Sequence, residues 1–473
     1  MIHFRKQALG IGLVAASVAT SFIASLNTSA EPPYLGGKTT IILPDVQGSD
    51  RGAFGYPAQN LSFTRKDNFF VGNSFFEGFW VEAPASTKAR DGLGPLFNTM
   101  SCQSCHVKDG RGRPPKPGES MLSMLARVSM PRTGDEPVEG LKRSGVVPHP
   151  VYGDQIQNHG VLGQNAEAQV EIDWVEIPGK FADGSKYSLR KPVVRLEEAQ
   201  YGELPENLEI SLRVAPIMIG LGLLEAVPEE TLIELEDPND ADGDGISGRR
   251  NLVWDVEKQS LATGRFGWKA EQPTVRQQVA SAFVGDIGIT SSLFPSENHM
   301  DAQKISAASG GNPEVSDEIL DFVTFYCKTL AVPGQRSHDD RMIQEGRELF
   351  NAAQCVKCHV DTLETGSIAD MPELSKQIIH PYTDLLLHDM GEGLADNRPT
   401  FEANGREWRT PPLWGIGLVY TVNRHTNFLH DGRARNIEEA ILWHGGEAEA
   451  SRDYYVNLSE DERRKLLTFV RSL

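Results

Sequence analysis

The chain has 473 residues, 39% of them apolar and 23% charged, with 65 acidic against 46 basic side chains and a formal net charge of −19. That length and apolar content suit two or three domains with real cores and exclude a disordered or fibrous chain. The acidic balance excludes nucleic acid and anionic lipid as partners and suits a small or cationic one.

The chain opens with Arg5 and Lys6, an apolar run from Ala8 to Ile23, and small polar residues ending at Thr28-Ser29-Ala30. This order predicts an export signal over residues 1–30, cleaved after Ala30, which would place the mature protein in the periplasm. An uncleaved N-terminal anchor is the alternative. The apolar run is short for a bilayer-spanning helix and no later segment reaches that length, so no membrane span is expected after cleavage.

Four of the five cysteines fall in two identical patterns, CQSCH at Cys102–His106 and CVKCH at Cys355–His359. C-x-x-C-H is the attachment sequence of a c-type haem. Two thiols three positions apart can each add to one vinyl group of the porphyrin, and the adjacent histidine then lies under the iron. A four-sulfur zinc site or a redox dithiol leaves the histidine after each pair unexplained. Export strengthens the haem reading, because this haem is attached outside the cytoplasm. The fifth cysteine, Cys327, sits in the apolar run ILDFVTFYCKTL and reads as a buried, inert hydrophobe.

Between the two motifs, the alternating runs AQVEIDWVEI and KPVVRL predict strands within an irregular region from Val146 to Val214. Next comes DADGDGISGRRN, in which Asp240, Asp242 and Asp244 stand at alternate positions before Gly245. That is the first half of an EF-hand-type calcium loop, although Asn251 stands where the bidentate glutamate belongs. A calcium site is one reading and an acidic surface turn the other.

The stretch DRMIQEGRELFNAAQ puts Ile343, Gly346, Leu349 and Phe350 on one helical face, with the glycine allowing another helix to approach. The final LSEDERRKLLTFVRSL begins with Ser459 as cap and Glu462 as its capping-box partner, and these two helices are expected to cross at the second haem. In RNIEEAILWHGG, Asn436 and Glu439 predict a helix start and Gly445-Gly446 a left-handed stop. His444 follows Ile437 by seven residues on the apolar stripe, so it points inward as either a core histidine or a ligand.

Several strings around these motifs resemble the bacterial di-haem cytochrome c peroxidase superfamily, most closely its di-haem oxidoreductase branch. FGWKAEQPTVRQQVASAFVGDIG, residues 266–288, is similar to the family stretch that opens on a tryptophan, passes a Thr-Leu-x-x-Gln helix and closes on an acidic residue two before glycine. WRTPPLWGIGL and FLHDGRARNIEEAILWHGG resemble its Thr-Pro-x-Leu segment, its Phe-His-Asp-Gly turn and the helix after it. In the family that helix carries, fourteen residues past the turn histidine, the sixth ligand of the C-terminal haem, usually methionine. Fourteen past His430 is His444. The resemblance therefore implies His444 as that ligand, with His388 or Met390 of LLHDMGEG as the alternatives, and His430 as a packing or propionate-contacting residue. A His/His haem sits lower in potential than a His/Met haem. The resemblance also implies Asp286 as the acid that assists peroxide cleavage and Trp268 as the indole between the haems. Read alone, these are a helix-capping carboxylate and a core side chain.

The expected architecture is mainly α, with two cytochrome-c-like helical haem lobes over residues 31–330 and 331–473. The first lobe carries an inserted, irregular, partly β region at about 107–250. The expected function is a periplasmic di-haem c-type oxidoreductase that reduces a peroxide at the N-terminal haem of His106. Electrons would come from a small cytochrome or cupredoxin and enter through the C-terminal haem of His359. The alternatives are an electron carrier without chemistry of its own and a di-haem oxidase of a protein or organic substrate.

Overall fold

The structure, a computed structural model, describes residues 34–43, 50–306 and 308–473. The expected export segment, residues 1–30, lies outside the described residues. Residues Pro33–Leu473 form one unit.

Helix α1, Phe63–Glu77, starts at Ser62, whose side chain accepts from the Arg65 amide, and buries Phe69, Gly72 and Phe76 at helical spacing. A single turn, α2, Cys102–Cys105, carries the first thiol pair. Strand β1, Met124–Ser129, is followed by β2, Gln169–Lys180, β3, Lys186–Glu197, and β4, Glu209–Val214. β1 and β4 pair antiparallel from Met124↔Val214 to Ser129↔Glu209, and their alternate residues Met124, Ala126, Val128, Leu212 and Val214 enter the core.

β2 and β3 form a long hairpin in register from Gln169↔Glu197 to Lys180↔Lys186. Its tip reaches the C-terminal part of the chain: Phe181 is buried against Tyr455, the Ala182 amide donates to the Val456 carbonyl, and Arg463 pairs with Asp183 at 2.8 Å. Helix α3, Val275–Ala282, capped by Thr274, runs into a π turn, Phe283–Ile287. Helix α4, Asp317–Thr329, packs on α1. A Cβ on Gly72 would lie 2.1 Å from the Phe322 carbonyl oxygen, so the two backbones meet only because Gly72 has no side chain.

Helix α5, Arg341–Ala352, precedes the second thiol pair. Short strands β5, Leu387–Asp389, and β6, Glu407–Arg409, pair antiparallel. Helices α6, Ile437–Leu442, α7, Glu449–Asn457, and α8, Glu460–Ser472, close the chain. α8 begins at the expected capping box, and it crosses α5 where a Cβ on Gly346 would come 2.1 Å from the Lys465 carbonyl oxygen. α1 and α5 thus share a pattern, a glycine at the crossing and a phenylalanine four residues later: Gly72 with Phe76 and Gly346 with Phe350.

The mainly α expectation is corrected: the fold is 30% helix and 18% strand, and the strands lie in many small two-stranded sheets. The predicted helices flank the thiol motifs, but the segments between them are rich in glycine and proline, with 45 and 28 in the chain, and lack helical periodicity. Their backbone groups are satisfied by short antiparallel pairs and by buried side chains such as Arg398, which donates to the Val128 carbonyl.

Candidate functional site

The two C-x-x-C-H motifs open onto two buried cavities. In the first, Ser101 caps α2 by accepting from the Ser104 amide, and the turn closes with the His106 amide donating to the Cys102 carbonyl at 2.9 Å. This brings Cys102, Cys105 and His106 to the wall of a cavity of about 210 Å³. In the second, the His359 amide donates to the Cys355 carbonyl at 2.9 Å, and Cys355, Cys358 and His359 line a cavity of about 200 Å³.

The two histidines are held alike. His106 Nδ1 lies 2.8 Å from the Pro216 carbonyl oxygen, and His359 Nδ1 lies 2.9 Å from that of Tyr382. A carbonyl only accepts, so each Nδ1 carries the hydrogen and each Nε2 keeps its lone pair. Burial lowers both histidines to about 4, which keeps the rings neutral. Phe76 and Phe350 stand 6.2 and 6.3 Å from the respective imidazole centroids. Burial also pushes the Cys102 and Cys355 thiols up to about 12, and the four motif cysteines are free. Paired thiols with one neutral imidazole on a largely apolar cavity fit a haem.

His444 also lines the second cavity. It stands just beyond α6, which stops at Leu442, so it lies in the exit turn and not on the helix. The expected Gly445-Gly446 stop does not end α6: its cap, Trp443, is right-handed at φ −80°, and Gly446, at φ 55°, opens the following 3-10 turn, Gly446–Ala448. His444 Nδ1 donates to the Ala440 carbonyl at 2.8 Å, and burial lowers its pKa, which again leaves a neutral ring with its lone pair on Nε2. Met390 lines the same cavity.

His388 lines it too, but both of its nitrogens are engaged: Nε2 at 2.8 Å from Asp384 Oδ2 and Nδ1 at 2.7 Å from Glu447 Oε2. Burial disfavours its charge, yet the Asp384 carboxylate outweighs this and lifts the pKa well above the ordinary value. An imidazolium between two carboxylates has no lone pair to offer a metal. His430, also on this wall, stacks on Trp408 with centroids 3.6 Å apart, and burial lowers it to about 3.

The first cavity has a different wall. Asp286 lines it from the π turn, and its Oδ1 accepts from Gln155 Nε2 at 2.9 Å. Burial raises its pKa against the pull of Arg127. Glu271 lines the same cavity. Burial would raise its pKa as well, but the Arg213 guanidinium at 2.5 Å outweighs that and holds it below the ordinary value. Two carboxyls on one cavity are thus shifted in opposite directions, Asp286 up by burial and Glu271 down by Arg213. Among the lining residues His106 is the sole histidine.

Trp268 lines both cavities, as do Arg111, Arg409, Ile217, Pro411 and Pro412. The indole Nε1 donates to the Val214 carbonyl at 2.8 Å, and the Arg111 guanidinium lies 5.1 Å over its ring. Sequence reasoning singled out Trp268 but missed Arg111, Arg409 and Glu271. Arg111 follows the first motif by five residues and Arg409 opens RTPP, but nothing in the spacing of either marks a cavity wall.

The acidic loop is arranged otherwise than the alternate-position pattern implies. Asp244 pairs with Lys357, inside the second motif, at 2.9 Å. Carboxylate oxygens within 4.8 Å of one another belong to Asp237, Asp240 and Asp242. Asn251 is fully buried and donates to the Lys269 carbonyl at 2.7 Å, away from the loop. Cys327 is buried as expected and lines the first cavity.

No match was found among curated proteins. A solved structure of hydrazine synthase from Kuenenia stuttgartiensis, pressurized with 20 bar xenon, is similar at 13% identity and a TM-score of 0.32, covering 92% of this chain and 100% of that one. A family model described as "Di-haem oxidoreductase, putative peroxidase" matches residues 31–473, nearly the whole chain. With two cavities, each walled by a thiol pair and a neutral imidazole, the chain belongs to that di-haem oxidoreductase family.

Proposed function

We propose that the protein is an exported di-haem c-type oxidoreductase that reduces a peroxide in the first cavity with electrons entering through the second. The observation that carries this is the difference between the cavities. The second offers a further neutral imidazole, His444, whereas the first offers a protonatable carboxyl, Asp286, and no second histidine among its lining residues.

When bound, each haem supplies an iron that exchanges single electrons. Cys102 with Cys105, and Cys355 with Cys358, would hold the porphyrins as thioethers, while His106 and His359 would ligate the irons through Nε2. His444, on the same cavity wall, would be a further ligand through Nε2, which suits electron transfer rather than substrate binding. In the first cavity burial favours the protonated form of Asp286, which suits it to give up a proton there, while Arg213 and the Lys269 amide favour the ionised form of Glu271. Trp268 spans the wall between the cavities and is placed to pass electrons across it. A small cytochrome or cupredoxin is the donor this scheme requires.

The test is steady-state turnover of hydrogen peroxide with a reduced small cytochrome, using protein matured in a host competent for c-type haem attachment, together with carbon monoxide binding to the reduced form. Brisk turnover with rapid binding at one haem supports the proposal. Slow binding at both haems and no turnover returns the chain to a plain electron carrier. Rapid binding without peroxide turnover points to oxidation of another substrate.

A further inference from the structure

The wall shared by the two cavities contains two buried guanidiniums that have no carboxylate at ion-pair distance. Arg111 is 7% exposed and Arg409 8%. Arg111 donates from Nε to the Asn427 carbonyl at 2.7 Å and from Nη2 to that of Leu429. Arg409 donates from Nε to the Gly267 carbonyl at 2.9 Å and from Nη1 to that of Thr410 at 3.1 Å. Among the described residues neither makes an ion pair, and Nη1 of Arg111 and Nη2 of Arg409 make no hydrogen bond. Both residues line both cavities.

Other buried arginines nearby are satisfied differently. Arg213 meets Glu271, and Arg433 meets Asp431 at 2.7 Å. Arg398 also has no carboxylate at ion-pair distance, but it donates to Thr400 and to the Val128 and Asp154 carbonyls and lines neither cavity. A guanidinium cannot shed its proton in a protein, and a buried one without a counter-charge is costly. Asp431 acts on Arg111, and Glu271 and Asp384 on Arg409, but none of these carboxylates makes an ion pair with either guanidinium, so both keep room for an anion in direct contact.

We infer that Arg111 and Arg409 are the counter-charges of haem propionates, one pair of cations serving both cofactors from the wall between them. This rests on the two-haem reading above. Each haem carries two carboxylates on its rim, a planar match to a guanidinium fork. A fixed positive charge beside a haem favours the reduced, more negative state, so the two arginines raise the reduction potential. Because each lines both cavities, removal of one lowers both potentials, whereas a residue serving one cavity would move one.

The experiment is a spectroelectrochemical titration of holoprotein carrying Arg111→Gln or Arg409→Gln, with Arg111→Lys and Arg409→Lys beside them and haem counted first. Fewer than two haems on the unsubstituted chain defeats the two-haem reading itself. With two haems present, we expect both midpoints to fall in each Gln variant and to return towards the native values in the Lys variants. Native midpoints in folded, fully loaded Gln variants would overturn the inference, and so would a fall confined to one haem. If the Gln variants do not fold, the Lys variants decide: retained midpoints support the role of charge, and lowered ones overturn it.

Discussion

His444 donates from Nδ1 to the carbonyl oxygen of Ala440, 2.8 Å away and one helical turn back. That bond fixes the tautomer and leaves Nε2 as the ring's lone pair on the second cavity. Substitution of His444 by alanine is expected to remove or alter one low-spin electron paramagnetic resonance signal and leave the other unchanged. His388→Gln, at a residue whose nitrogens both face carboxylates, is expected to leave both signals as they are in the parent. An unchanged spectrum in His444→Ala would retire His444 as a ligand, and Met390 would be tested next.

Asp286→Asn keeps the shape of the carboxyl and removes the proton it can give. Loss of a positioned general acid costs on the order of 10²–10⁴-fold in rate, and that is the expected fall in peroxide turnover, with both haems retained. In the unsubstituted protein the raised pKa of Asp286 makes turnover decline on the alkaline side as this proton is lost. The variant should lack that limb. Turnover within a factor of two of the parent would remove Asp286 from the mechanism.

Gly346→Ala would push a methyl group to 2.1 Å from the Lys465 carbonyl oxygen, where backbone and not a flexible side chain must yield. Overpacking of this kind costs about 1–3 kcal/mol, and we expect a loss at the upper end by chemical denaturation. Gly140→Ala is the control. It lies in the short helix Val138–Ser144, where the nearest atom to a new Cβ is 3.8 Å away, and relief of backbone entropy should make it neutral or stabilising by about 0.4–1 kcal/mol. Equal effects at both positions would show that the α5–α8 crossing is looser than the contact at Gly346 implies.

Asp109, three residues past the first ligand histidine, accepts a hydrogen bond from the Tyr326 hydroxyl, and burial pushes its carboxyl from 3.8 to about 7. The folded protein then keeps a proton that the unfolded chain releases near pH 4. The associated stability is present below pH 4 and is lost progressively as the pH rises to about 7. Asp109→Asn removes this slope, so the variant should gain on the parent between pH 5 and 8, by at most about 4 kcal/mol. Parallel curves of melting temperature against pH for the two proteins would show that Asp109 does not carry the dependence.

Local chemistry was legible in the sequence where a motif is contiguous or a helix has caps. The two C-x-x-C-H strings, the capping box at Ser459 and Glu462, the glycine at position 346 and the strand runs now seen as the β2–β3 hairpin all depend on residues within a few positions of one another. Spacing of that kind is set by the backbone's own periods and survives any tertiary context. The mainly α expectation failed because the long Gly- and Pro-rich connections have no period of their own, and distant side chains settle their conformation.

The cavity walls were decided only by the tertiary structure. Whether His388 is a ligand or a clamped imidazolium depends on Glu447, 59 positions away. Whether Glu271 is charged depends on Arg213, 58 positions back, and Arg111 reaches carbonyls more than 300 positions ahead. Protonation, ligand availability and counter-charge are properties of enclosed space, where burial and a partner's distance fix the sign, and neither quantity exists until the chain has folded.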